Sequence, residues 1–198
     1  ALGVDHDLRD AVGEGPQLLV KTINAPLRPL AEEEVLWAAH GRPDIHVIDR
    51  SLSSDELHGV MAEADCYASL HRAEGFGLTM AEAMALGKPV IATGYSGNVD
   101  FMNDTNSYLI DHTITLVGPD CEIYPPEGEW AEPDLDHAAR LMRQVHDRPD
   151  EAVEKGSRAA MDIARNLSAQ TTGAAMRRRL EQLLAAPATG RGRLADVR

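Results

Sequence analysis

Five short apolar runs recur along this chain with helix-like segments between them, and that alternation limits the fold more than any other feature. "QLLVKTI" (17–23), "DIHVID" (44–49), "CYASL" (66–70), "PVIAT" (89–93) and "SYLI" (107–110) are apolar or β-branched nearly throughout, instead of alternating with polar residues. Continuous apolar character marks strands buried on both faces, the property of a parallel sheet. The segments between them carry helix punctuation. "LAEEEVLWAAH" has acids in its first turn and Gly41 just past its end, and Ser53 with Glu56 forms a capping box at the head of "SLSSDELHGVMAEA". The helix that follows "CYASL" runs to about Leu86 and stops at Gly87. The expected class is α/β: a doubly wound, Rossmann-like parallel sheet, with extra helices at about 134–147, 150–166 and 169–185.

Between Asp111 and Pro133 the pattern breaks into "GPDCEIYPPEGEWAEPD", rich in Pro, Gly and acid. This reads as a long surface loop, with a short strand at "TITLV" and Trp130 docked on the body. The expected domain covers residues 1–186, followed by a disordered tail over 187–198. A turn is expected at "NAPLRP" (24–29).

Composition removes several function classes. The net charge of −13 is wrong for nucleic acid, which needs clustered Lys and Arg. Arg177, Arg178 and Arg179 sit in one helix and read as a solvated face. No apolar run is long enough to span a bilayer, and no signal-peptide core opens the chain. Cys66 and Cys121 have neither a disulfide nor a metal spacing. Cys66 reads as a small core residue, and the expected compartment is a reducing cytoplasm.

The stretch "HRAEGFGLTMAEAMALGKPVIATGYSGN" (71–98) is the chemical focus. Ligands of parallel α/β sheets bind where strand ends lead into helices, and "LHRAEGFGLTMAEAM" is such a junction. Gly75 and Gly77 let the backbone approach a ligand and adopt angles that a Cβ resists. The first N–H groups of the next helix have no internal acceptor and carry the positive end of the dipole. Hydrogen bonds to a charged group are worth roughly 1.5–3 kcal/mol each, so two or three would hold a phosphate without lysine. Glu74 and Glu82 flank this anion seat. Carboxylates repel phosphate and accept from hydroxyls, so the ligand class indicated bears both, as a sugar nucleotide does. Plainer readings stand beside this one: Thr79-Met80-Ala81-Glu82 is itself a formal capping box, Glu74 has a lesser reading as a solvated loop acid, and His71 and Arg72 read also as surface residues.

The block "EGFGLTMAE" resembles the E-x7-E motif of the family 4 (group 1) retaining glycosyltransferases of GT-B architecture. The likeness continues through "EAMALGKPVIATGYSGNVDFMNDTNSYLI" and "ADCYASLHRAEGFG", and spans about residues 17–185. The resemblance implies the C-terminal, donor-binding half of a two-domain enzyme that moves a hexosyl group from a nucleoside diphosphate sugar. It implies that Glu74 meets donor-sugar hydroxyls and Glu82 the ribose. The main chain of Gly75, Phe76, Gly77, Leu78 and Thr79 would hold diphosphate and sugar, and the loop from Asp49 to Leu52 would face the base. It implies no cofactor and no essential metal. The family's basic pair belongs to a segment expected before Ala1, and Lys21 with Thr22 is a partial substitute; Lys21 also reads as a strand-end lysine reaching solvent. An acceptor-binding N-terminal domain is the expected missing partner, and the fragment alone is expected to be inactive. The rival reading is a non-catalytic module that keeps the fold and serves binding or assembly. A glycosidase using the two glutamates leaves the anion seat unexplained, and no G-x-G-x-x-G supports a dinucleotide oxidoreductase.

Overall fold

The computed structural model describes residues 15–23, 29–119, 121 and 124–185. The turn over 24–29, Pro29 apart, and the tail over 187–198 lie outside the described residues. The chain divides into two compact units, Ala1–Val60 and Met61–Arg198.

In the first unit, β1 (Leu18–Thr22) and β2 (Ile45–Asp49) pair in parallel, from Leu18 opposite Ile45 to Thr22 opposite Asp49. Helix α1 (Pro29–Ala39) joins them and Gly41 follows at φ +71°, the left-handed turn expected after its end. The capping box ahead of α2 (Ser54–Glu63) forms as read. Ser53 N donates to Glu56 Oε2 at 2.8 Å, and Glu56 N donates to Ser53 Oγ at 3.2 Å. The Ser53 amide and the Arg50 guanidinium lower the Glu56 carboxyl to about 2.

The second unit is built on a three-stranded parallel sheet, β3 (Tyr67–Ser69), β4 (Val90–Thr93) and β5 (Tyr108–Ile110), with β4 central. All four residues of β4 are buried, the outcome that a continuous apolar run predicts for a central parallel strand. Ile91, Tyr108, Ile110 and Ala138 form a core cluster against which Cys66, Leu141 and Val145 pack. Burial pushes the Cys66 thiol up to about 12, in keeping with a small core residue.

Helix α3 (Leu78–Ala85) buries Met80, Ala83 and Met84 and ends at Gly87, φ +74°. Helices α4 (Leu135–Asp147), α5 (Pro149–Asn166) and α6 (Ala169–Ala185) follow, as expected. Asp134 caps α4 by accepting from His137 N at 2.8 Å. Where α3 ends it meets α5 backbone to backbone, for a Cβ on Gly156 would lie 2.2 Å from the Gly87 carbonyl oxygen. Arg177, Arg178 and Arg179 are exposed on α6, as a solvated face requires.

The short strand expected at "TITLV" is present, and the rest of the expected loop supplies its antiparallel partner, making a hairpin. Strand β6 (His112–Leu116) pairs with β7 (Glu129–Pro133), from His112 opposite Pro133 to Leu116 opposite Glu129. β7 escapes the sequence reading because "EWAEP" combines two acids and a proline. Proline cannot donate to a ladder and is tolerated only at strand ends and edges, and Pro133 closes its strand. The Asp134 amide donates to the Asp111 carbonyl at 2.8 Å and shuts the base of the hairpin.

Candidate functional site

The site is built around the junction from β3 to α3. Gly77 is the N-cap of α3, at φ +97°, and no side chain caps the first turn. A Cβ there would lie 3.0 Å from Met80 Cε, 3.2 Å from Asn98 Cβ and 3.3 Å from Phe101 Cζ. Both the angle and the space therefore demand glycine. Gly75 differs: its φ is ordinary and a Cβ would meet nothing within 4 Å. Its openness leaves room for a ligand, but no angle requires glycine, which corrects half of the sequence reading of this pair.

The carboxylate reading also changes in detail. Glu74 Oε1 accepts from Gly75 N at 3.0 Å and from Phe76 N at 3.4 Å. Two of the five main-chain amides expected to be open to a ligand, those of Gly75 and Phe76, are thus engaged by the adjoining side chain. This orients the carboxylate and leaves Oε2 without a partner among the described residues. The helix-entry amides beyond Gly77 have no side-chain cap, and they carry the positive end of the α3 dipole.

Thr79 does not act as an N-cap, so the formal capping box at Thr79–Glu82 is not how this helix begins. Thr79 lies in the first turn, where its hydroxyl accepts from Tyr67 Oη at 2.9 Å. Glu82 is the fifth residue of α3 and half-buried. Leu78 is 67% exposed, and the Phe76 ring meets Phe101 at a centroid distance of 5.2 Å.

A second segment, at the C-terminal end of the 71–98 stretch, holds the loop, although the sequence reading gave its residues no individual role. Ser96, at φ +76°, donates through Oγ to the Glu74 carbonyl, and Gly97 N donates to the same oxygen at 3.2 Å. These residues open a short 3-10 helix, Ser96–Asp100, after β4. His71 Nε2 lies 3.1 Å from the Tyr95 carbonyl and 3.2 Å from Asn98 Oδ1. Asn98 Nδ2 in turn donates to Thr93 O at 3.0 Å, fixing the amide so that Oδ1 faces the ring. Both oxygens only accept, so the proton belongs on Nε2, and Nδ1 is left to accept from Ser69 Oγ at 3.2 Å. His71 is thereby a tie between the end of β3 and the Tyr95–Asn98 turn. The signal in sequence was the cluster "GYSGN", whose small and amide residues mark a tight turn.

Arg72 reaches the hairpin. Its Nε and Nη2 donate to Glu132 Oε2 and Oε1 at 2.6 and 2.9 Å, a bidentate fork. Glu132 holds the guanidinium above its ordinary range. The Arg72 guanidinium lies 4.7 Å from the centroid of Trp130, and Ala131 N donates to Arg72 O at 2.9 Å. Trp130 is half-buried against the body, as expected.

The remaining predicted residues belong to the first unit. Lys21 Nζ donates to the Thr22 carbonyl. Thr22 Oγ1 donates to Asp49 Oδ1 at 2.8 Å, joining the ends of β1 and β2. Leu52 is half-buried and follows Asp49 in the loop to α2.

The model of the "Glycosyl transferases group 1" family matches residues 12–118, more than half of the chain. The chain belongs to the group 1 glycosyl transferases. No curated protein matches it. Among solved structures, HepE from Anabaena in complex with UDP and glucose is similar at TM-score 0.63 and 16% identity, over 85% of this chain and 41% of that one. Sucrose-phosphate synthase from Thermosynechococcus elongatus is similar at TM-score 0.64 and 20% identity, over 86% and 39%. The C-terminal domain of a group 1 glycosyl transferase, LpcC, from Francisella tularensis is similar at TM-score 0.53 and 19% identity, over 73% and 64%. The chain thus spans about two fifths of the length of the first two. At these identities the likeness establishes fold: the Rossmann-like, C-terminal half of the GT-B architecture. Among the described residues, no helix of this group 1 domain is long and apolar enough to cross a membrane.

Proposed function

We propose that this chain is the donor-binding half of a retaining family 4 hexosyltransferase. The full-length protein moves a hexosyl group from a nucleoside diphosphate sugar to an acceptor held by a further domain. One observation carries the reading: a helix start without a side-chain cap, opened by a left-handed glycine, beside a carboxylate oriented by two main-chain N–H groups. A diphosphate suits the helix start, because the N–H groups and the dipole of α3 act on it together. The free oxygen of Glu74 suits a sugar hydroxyl, since an ionised carboxylate only accepts. Glu82 serves the ribose, and the loop from Asp49 to Leu52 the base. Lys21 is a partial substitute for the basic pair of the group 1 enzymes, and the group 1 likeness favours electrostatic stabilisation of the leaving group without an essential metal. A cytoplasmic setting matches such a donor.

HepE was solved with UDP and glucose. That complex belongs to HepE, and it makes uracil the first base to try here.

Calorimetry of the full-length protein with UDP, GDP and ADP tests the reading. Saturable binding of one of them, lost in a variant carrying Gly77→Val, is the expected result. A folded sample that binds none of the three sinks it, and leaves the rival reading of a binding or assembly module. The anomeric configuration of the product, read by NMR of the newly formed glycoside, tests retention separately.

A further inference from the structure

The hairpin and the β3–α3 loop line an open pocket of about 500 Å³, none of whose lining residues has a part in the donor-binding roles above. Arg72, Glu132, Trp130 and Tyr124 line it, with Leu70 and Leu135 among the apolar residues of its walls. All belong to the second unit, and the loop side of the pocket runs directly into Glu74 in sequence.

From this arrangement we infer a pyranose-binding subsite, distinct from the seat at the start of α3. A sugar ring has an apolar face of C–H bonds and a rim of hydroxyls that both donate and accept. The pocket offers a match to each. Tyr124, 49% exposed, supplies flat apolar surface, and Trp130, whose ring lies under the Arg72 guanidinium, lines the pocket with it. The Arg72–Glu132 fork supplies donors and acceptors in fixed geometry. Nη1 of Arg72 makes no bond within the fork, and each Glu132 oxygen keeps a lone pair, so neighbouring hydroxyls can both donate and accept. Because the two charges cancel at 2.6 Å, the site has no net attraction for an anion. That separates it from a phosphate or carboxylate site. Few placed polar groups on an apolar wall, within about 300–1,000 Å³, is the usual form of a small-molecule site. The fork is already assembled without ligand, since Trp130 lies beside the guanidinium and Ala131 N holds the Arg72 carbonyl. Preorganisation lowers the ordering cost of binding.

This inference rests on the sugar-transfer reading only for the source of the ring, which is either the donor's own sugar or a sugar of the acceptor. The test follows the Trp130 indole N–H resonance in the full-length protein, assigned by its disappearance in Trp130→Phe. The probes are the methyl glycosides of glucose, galactose, mannose and N-acetylglucosamine, then UDP-glucose and GDP-mannose beside bare UDP and GDP. The expected result is a saturable shift with at least one sugar-bearing probe and none with its bare diphosphate. A response to a methyl glycoside identifies the acceptor as the source, and a response only to a sugar nucleotide identifies the donor. The double variant Arg72→Gln, Glu132→Gln should weaken that response at least tenfold. Should it fail to fold, Arg72→Lys retains an ion pair and loses the planar fork, with the same direction of effect. If Trp130 stays silent to every probe, the fork is a clamp for the hairpin and the subsite is overturned. Calorimetry on the same samples keeps the two readings apart. Diphosphate binding with a silent Trp130 removes only the subsite, whereas a sugar response without any diphosphate binding removes only the donor reading.

Discussion

Gly97 stands so close to Gly75 that a Cβ on it would lie 2.3 Å from the Gly75 carbonyl oxygen and 2.8 Å from Phe76 Cα. These are backbone atoms, which cannot rotate aside. The turn after β4 and the loop after β3 are therefore in main-chain contact, and the position of Glu74 depends on a residue 23 places away. Gly97→Ala should displace the loop and weaken nucleoside diphosphate binding. Overpacking of this kind costs roughly 1–3 kcal/mol. Calorimetry and thermal melting of the variant together measure the two effects, and unchanged binding would mean that the loop accommodates a methyl group.

Glu74→Gln keeps an acceptor oxygen for the Gly75 and Phe76 amides and removes the negative charge offered to a sugar. Transfer should fall by about 10²–10³-fold, the scale of one lost preorganised polar group at a reacting centre. Glu74→Ala should fall at least as far. Bare diphosphate binding should hold within a few-fold in both, because neither change touches the amides beyond Gly77. Initial rates with full-length enzyme give the first quantity and calorimetry the second.

Two helical glycines make opposite predictions from one substitution. Alanine is better than glycine inside a helix by about 1 kcal/mol. In α6, a methyl group added to Gly173 would meet nothing within 4 Å, so Gly173→Ala should stabilise by most of that amount. In α5, the same methyl on Gly156 would press on Gly87 O at 2.2 Å. Steric cost there outweighs propensity, and Gly156→Ala should lower the melting temperature while Gly173→Ala raises it.

Cys66 makes a prediction in pH. Its folded thiol is pushed up to about 12 by burial, against an ordinary value of 9.0. The group is an acid with a raised pKa, so its contribution to stability is complete below pH 9 and is lost as pH rises from 9 towards 12. Alkylation by iodoacetamide at about pH 8–9 should modify Cys121 well before Cys66, because the thiolate is the reactive form. Mass spectrometry of the two peptides checks the order, and equal rates would show Cys66 to be far more open than its packing.

The parts of the fold legible in sequence are those governed by short-range rules. β4 announces itself because a central parallel strand needs apolar residues at every position. Gly41, Gly87 and the Ser53–Glu56 box mark helix ends because their effects act within a turn or two. The start of α3 is readable only in outline. Thr79 and Glu82 have capping spacing, yet Gly77 takes the cap because its left-handed angle and the packing of Met80, Asn98 and Phe101 around it settle the chain's entry. Glu74 folding onto its own neighbours' amides leaves no mark in composition. The second strand of the hairpin is hidden for a different reason: β7 owes its form to Arg72 and to β6, both distant in sequence, and in "EWAEP" two acids and a proline outweigh Trp130 as a strand signal.

The hairpin is joined to the rest of its unit near its base, through the Asp111–Asp134 closure and the contacts of Ala131 and Glu132 with Arg72. Its far end can be rewritten in length and composition while the glycine turn at Gly75–Gly77 keeps its shape. Divergent members of such a lineage could then exchange what they recognise by editing one peripheral ribbon, leaving the shared chemistry undisturbed.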